Sequence, residues 1–411
     1  MITGRIHGHP DGFGFLLPED GGAEDLYLNR REMRRAMHGD RALVRIEKDR
    51  RGGSQARIVQ ILERGYKRII GTYEKLEGRN YLSPMDPRLG PPLKLTRGMP
   101  EAKQGSVIAG EIVKYGTPHS APEGKAIEVL GDPDDPEVQA QAIIFRYGLP
   151  TTFSPEAKDY ASSCAQPAGP EVISSRVDLR ALPTVTIDGE SARDFDDAVG
   201  IEKKNGLYRL TVSIADVAHY VKPGTALDQE AYQRGTSVYF PDRAIPMLPE
   251  ELSNGICSLN PLEERLTQSV LLEIDSKGEI WRETFSRSVI RSHARLTYTE
   301  VRRILVDGDA ECIERRRELV DPLKRMEELA RILWEKRKAV GSLDFDLPQA
   351  EIILNLQGIP EDIVRAERNI AHRIIEEFMI AANEAVARHL TKKGYPTLYR
   401  VHEGPEEESL R

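Results

Sequence analysis

At 411 residues, with 39% hydrophobic and 30% charged side chains, the chain exceeds one ordinary core and reads as about two to four globular units, neither disordered nor fibrous. No apolar run approaches the roughly 20 residues that cross a bilayer, and Met1-Ile2-Thr3-Gly4-Arg5-Ile6 passes straight into alternating strand-like sequence, so neither a membrane span nor a signal peptide is expected. Cys164, Cys257 and Cys312 lie too far apart for a paired or metal-ligand spacing, which suits reduced thiols in a cytoplasmic protein, and the net charge of −8 does not exclude a polyanionic partner, because phosphate affinity follows local patches.

Residues 1–66 predict five short strands, Thr3–His7, Gly12–Leu17, Asp25–Leu28, Arg41–Ile46 and Ala56–Leu62, with no long amphipathic helix. That pattern is expected of a small β-barrel. The barrel is the basic part of the chain: residues 1–68 hold 14 Lys and Arg against 10 Asp and Glu, with Arg30, Arg31, Arg34 and Arg35 as one group and Lys48, Arg50 and Arg51 as another. Taken alone, such runs read as solvated faces. Residues 67–148 repeat the pattern, with strands at Ile69–Glu74, Arg79–Ser83, Leu93–Leu95, Ser106–Val113 and Ala126–Leu130 and a helix over Glu137–Tyr147. Gly4 matches Gly71, Gly39 matches Gly105 and Ile61-Leu62 matches Val129-Leu130, an offset of 66 to 68 residues that implies tandem barrels of one type. Residues 149–171 are read as a linker. From 172 to 411 strands (Thr184–Ile187, Ala198–Glu202, Tyr208–Ala215) give way to helices (Tyr298–Leu305, Arg315–Ala339, Ile363–Thr391), which predicts an α+β domain. In the last helix Ile370, Ile374, Phe378, Ala381, Ala385 and Leu390 trace a core-facing stripe.

Two stretches carry chemistry. In Gly12-Phe13-Gly14-Phe15 alternation sets both phenylalanines on one face, where Tyr27 of the next strand can join them. Aromatics alternating with glycine fill a core poorly but make a platform for stacked bases. The second stretch, Thr186–Ala198, packs Asp188, Asp194, Asp196 and Asp197 between two strands. If all four point into one pocket, mutual repulsion raises several pKa values unless a cation neutralises them, and hard carboxylate oxygens suit Mg²⁺ or Mn²⁺. An EF-hand reading fails: counted from Asp188, position twelve is Val199, and counted from Asp194 it is Asn205, so the bidentate glutamate is missing from both. A solvated acidic turn is the remaining alternative, and Phe195 among the acids argues against it.

The first barrel resembles a cold-shock domain, whose RNA-binding motifs take the form Gly-Phe-Gly-Phe and Asp-Val-Phe-Val-His. The resemblance implies RNA stacking by Phe13, Phe15 and Tyr27, with Asn29 where the family has histidine. Residues 172–411 resemble the catalytic domain of the ribonuclease II and ribonuclease R (RNB) family. The resemblance is carried by Thr186–Val199, Ile214–Val217, Gly235–Pro241, Ile245–Pro249, Ser253–Asn260, His293–Tyr298 and Leu398–Glu403. What it implies is two cold-shock (OB-fold) barrels followed by the first part of an RNB catalytic domain. The implied activity is a processive, divalent-metal-dependent 3′→5′ exoribonuclease that releases 5′-nucleoside monophosphates from single-stranded RNA, acting as a cytoplasmic monomer. In that likeness Asp188, Asp194 and Asp197 lean toward the metal and Asp196 toward the terminal ribose and leaving group. Tyr239 and Phe345 clamp the last bases, and Glu377, or Glu376 beside it, contacts the RNA. The family's arginine-rich phosphate-facing block and its S1-type barrel have no counterpart within these 411 residues. A non-catalytic RNA-binding module, or an inactive fragment of the exoribonuclease, is therefore the rival reading.

Overall fold

The computed structural model describes all residues except 20–23, 49–53, 97–100, 344–349, 356–358, 366–367, 400, 402–403 and 405–411. The chain divides into two compact units, Met1–Thr151 and Thr152–Arg411.

The first unit holds two five-stranded sheets. Strands β1 (Ile2–Gly8), β2 (Gly14–Pro18), β3 (Leu26–Leu28), β4 (Arg41–Lys48) and β5 (Ser54–Glu63) are ordered β3-β2-β1-β4-β5, with the short helix α1 (Arg30–Met33) after β3. Strands β6 (Arg68–Leu76), β7 (Arg79–Pro84), β8 (Leu93–Leu95), β9 (Val107–Lys114) and β10 (Glu123–Gly131) close a barrel in the order β10-β8-β7-β6-β9, followed by α2 (Pro136–Tyr147). The internal repeat is structural. Gly4 and Gly71 pair with Pro18 and Pro84, and a Cβ on either would lie 2.2 or 2.1 Å from the carbonyl oxygen of Leu17 or Ser83. Only glycine lets these strands approach so closely. Gly39 and Gly105 both adopt positive φ (86° and 90°) and donate to equivalent strand carbonyls, those of Ile6 and Tyr73.

The second unit is a mixed sheet of seven strands. β11 (Val177–Asp178), β12 (Thr184–Asp188), β13 (Asp197–Lys204), β14 (Leu207–Ala215), β17 (Glu264–Ile274), β18 (Ile280–Arg291) and β19 (Ala294–Thr297) run in the order β11-β18-β17-β14-β13-β12-β19. Between β14 and β17 lie α5 (Val217–Tyr220), α6 (Ala226–Arg234) and the two-residue strands β15 (Val238–Tyr239) and β16 (Ala244–Ile245). One face of the sheet, through Val185, Ile187, Val199 and Leu272, packs on α7 (Tyr298–Arg302), α8 (Ala310–Arg315), α9 (Arg317–Ala339) and α10 (Ile370–Lys393), which contribute Val301, Leu323, Ile374 and Phe378. The other core gathers Phe195, Leu227, Leu252 and Ile290.

Two expectations fail here. Residues 149–171 are not a linker: they form α3 (Pro155–Cys164) and the start of α4 (Pro170–Ser174), and Ala157 and Ala161 are fully buried in the second unit's core. Ser154 caps α3 and, through its amide and hydroxyl, holds Glu230 of α6 at 3.0 and 2.7 Å. Ser-Pro-Glu is a helix-start signature, and the small residues at i and i+4 make the buried face. Second, the helix expected from Ile363 starts at Ile370, where Asn369 caps it by accepting from the Ala371 amide at 2.9 Å. The residues before it pair as β20 (Ala350–Leu354) with β21 (Pro360–Arg365), placing Ile352 opposite Ile363. Cross-strand β-branched pairing overrides the local apolar spacing.

Candidate active site

The four aspartates occupy one end of the seven-stranded sheet. Asp188 is the last residue of β12 and lies opposite Thr297 in the parallel pair with β19, while Asp197 opens β13 opposite Ile214. The loop between them is held by more than its ends. Arg295, on β19, donates to the carbonyls of Gly189 and Glu190 at 3.0 and 2.7 Å, and the Ala215 amide donates to the Asp196 carbonyl at 2.9 Å. Phe195 is buried in the core. Its inward turn explains an aromatic among acids: the ring joins the core while Asp194 stays half-buried and Asp196 exposed.

The electrostatics are those of crowded like charges. Burial first, then the charges of Asp194 and Asp196, raise the pKa of Asp188, with Arg295 acting the other way. Burial and Asp194 raise that of Asp196, although part of its surface stays open to solvent. Burial, Asp188 and Asp196 push Asp197 up to about 6. The Oδ2 atom of Asp188 is buried without a hydrogen-bond partner. Among the described residues no three His, Cys, Asp or Glu side chains converge closely enough to hold a metal ion as they stand. Yet hard oxygen donors, raised pKa values and a stranded carboxylate oxygen are what a divalent cation would relieve, so the donor set fits one.

A pH prediction follows. Between about pH 4 and 6 folded Asp197 keeps a proton that the unfolded chain has released, so stability falls as pH rises through this window and the deficit persists above it. In EDTA near pH 7.5, Asp197→Asn is expected to raise the melting temperature, by a free energy of at most about 3 kcal/mol, with no gain below about pH 4. Equal melting curves for both proteins near pH 7.5 would contradict it.

Tyr239 is 68% exposed, so it is not strand packing, and its hydroxyl donates to Asp194 Oδ2 at 3.3 Å. Phe345 lies outside the described residues. Glu377, expected at the RNA, is instead 1% exposed and bound by Arg337 of α9 at 2.6 and 3.0 Å. Glu376 pairs with Arg368. Two site residues had no role from sequence. One is Arg295, described above. The other is Tyr298, stacked on His372 at 3.8 Å, whose pKa is pushed up to about 12 by burial and by the charges of Asp188 and Asp197. Both fall in the His293–Tyr298 block, and only its proximity to the aspartates in space marks them.

In the first unit Phe15 and Tyr27 stand opposite each other across β2 and β3 and are 36% and 40% exposed, while the adjacent Leu16 and Leu28 are fully buried. The rings of Phe13, Phe15 and Tyr27 lie 5.8 to 5.9 Å apart, and His9 stacks on Phe13 at 4.2 Å. Asn29 caps α1, accepting from the Arg31 and Glu32 amides. Of the basic group, Arg34 and Arg35 donate to the carbonyls of Pro118 and Ile58.

Two OB-type domains followed by an α+β domain with an acidic sheet end define a multidomain architecture. Residues 176–411 match the RNB domain, 4–61 the Ribonuclease B OB domain and 81–154 the cold shock domain. The chain belongs to the RNB family of ribonucleases. It is 42% identical to ribonuclease R of Aquifex aeolicus, over its whole length and 58% of the relative, and 40% identical to that of Escherichia coli, over 51% of the relative. It therefore spans only a little over half the length of these curated relatives. The structure of Mycoplasma genitalium RNase R in complex with ribose methylated single-stranded RNA superposes with a TM-score of 0.89 at 26% identity, covering the whole chain and 65% of that protein. Yeast Ssd1, a pseudonuclease, shares the fold (TM-score 0.68, 16% identity, 95% of this chain and 55% of that one). No helix among the described residues is long and apolar enough to cross a membrane.

Proposed function

We propose that the chain carries the RNA-binding barrels and the acidic half-site of a processive 3′→5′ exoribonuclease that shortens single-stranded RNA to 5′-nucleoside monophosphates, acting as a cytoplasmic monomer. The observation that carries the reading is the coupled set Asp188, Asp194, Asp196 and Asp197 with a buried, unpartnered carboxylate oxygen, in a chain whose relatives are ribonucleases R. These four would hold Mg²⁺ or Mn²⁺. When bound, such an ion polarises the phosphate and balances its charge in the transition state.

The remaining steps belong to the protein. The Tyr239 hydroxyl orients the Asp194 carboxylate, and its exposed ring offers a face to the terminal base. Asp196 takes the ribose and leaving-group side. Phe13, Phe15 and Tyr27 stack bases upstream. Each such stack is worth about 1–3 kcal/mol, so Phe15→Ala or Tyr27→Ala is expected to weaken single-stranded RNA binding about five- to a hundredfold, checked by fluorescence anisotropy, with little dependence on base sequence.

The reading is tested by giving 5′-labelled single-stranded RNA to the 411-residue chain, and to the polypeptide at its relatives' length, with and without Mg²⁺. Stepwise shortening from the 3′ end that EDTA abolishes is the expected result. Binding without shortening at either length favours the rival, an RNA-binding module, for which Ssd1 supplies the precedent of this fold in a pseudonuclease.

A further inference from the structure

The strip carrying Asp194 and Asp196 is fastened from behind by one hydroxyl. Ser258 is fully buried. Its Oγ accepts a hydrogen bond from the Phe195 amide at 3.0 Å and donates to the Arg193 carbonyl at 2.9 Å. The next residue adds a third tie, from the Leu259 amide to the Phe195 carbonyl at 2.9 Å. Ser258 is itself immobilised, because its carbonyl accepts from Arg265 Nε at 2.7 Å and from the Asn260 amide at 2.8 Å. Arg265 is buried, and its other arm reaches the Gly255 carbonyl at 3.3 Å. One side chain thus engages the two backbone groups that bracket Asp194, and a buried guanidinium fixes that side chain's own backbone.

The loop needs such an anchor. It carries two of the four mutually repelling carboxylates and lies between the other two, and the β12–β13 ladder pairs only Thr184 with Gly200 and Val185 with Val199, short of the acids. Without the hydroxyl, the Phe195 amide and the Arg193 carbonyl would lose their partner in Ser258, and only the ties from Leu259 to Phe195 and from Ala215 to Asp196 would hold the strip against the repulsion.

We infer that Ser258 is a positioning residue whose hydroxyl fixes the backbone at Arg193–Phe195 and thereby aims the Asp194 and Asp196 carboxylates at a divalent cation. The inference rests on the reading of the aspartates as cation ligands.

Ser258→Thr and Ser258→Val test it together, since the two side chains share a shape and differ only in the hydroxyl. Amide hydrogen exchange at Phe195 reports the clamp, and Mn²⁺ affinity by electron paramagnetic resonance reports its consequence. Relative to Ser258→Thr, Ser258→Val is expected to exchange the Phe195 amide about tenfold faster or more and to bind Mn²⁺ about tenfold more weakly. Ser258→Ala, which makes no steric demand, gives the same comparison against the unaltered chain should the branched variants not fold. Equal exchange, or equal Mn²⁺ affinity, in the Thr and Val proteins overturns the assignment of Ser258. Failure of the unaltered chain to take up Mn²⁺ instead sinks the reading of the aspartates, and the role of Ser258 toward a cation with it.

Discussion

Asp196→Asn is expected to slow 3′ shortening of RNA by about 10²-fold or more while RNA affinity in EDTA holds or rises. Asparagine keeps the size of the side chain but removes a charge, and a neutral amide is a poor ligand for a hard divalent cation. Loss of a group that stabilises transition-state charge carries a penalty of this order. Affinity moves the other way because Asp196, already destabilised by burial and by Asp194, repels phosphate when no cation is present. The check is single-turnover cleavage of end-labelled RNA beside filter binding of the same RNA. Shortening that persists at the original rate would mean that a different set of residues, or a contaminant, does the work. Parallel loss of binding and cleavage would mean that the substitution has damaged the fold.

The parts of the molecule that sequence exposes are those with local rules. Gly4 and Gly71 stand where a Cβ would collide with a neighbouring carbonyl, so the repeat of the barrels is written in residues that cannot vary freely. The aspartates are legible because four acids around one phenylalanine make no sense as a solvent-facing turn, and Phe195 is indeed core. What sequence hides is set by distance along the chain. Ser258 and Arg295 act on the loop from 63 and about 105 residues away, through hydrogen bonds to backbone that impose no pattern on their neighbours. The α3 segment is announced by Ser154-Pro155, but its short alanine face conceals how deeply it packs. Glu377 misleads for a different reason. A charged residue on an amphipathic helix is assigned to solvent by default, and only the position of Arg337 on the adjacent helix reverses that.

That reversal carries the second large effect. Arg337→Ala leaves the Glu377 carboxylate, 1% exposed, without its guanidinium, and removing one member of a buried pair costs about 3 kcal/mol or more. For a unit of this size about 3 kcal/mol lowers the melting temperature by roughly 6–12 °C. Glu377→Gln is milder, because the amide oxygen still accepts from Arg337. The double change Arg337→Met with Glu377→Leu should recover most of the loss, because two apolar side chains carry no desolvation penalty at this helix crossing. Melting curves of the three variants distinguish a structural glutamate from an RNA-contacting one. If Glu377→Gln weakens RNA binding with an unchanged melting temperature, Glu377 belongs to the RNA site after all. If the variants differ in stability but bind RNA alike, its carboxylate serves the packing of α10 on α9.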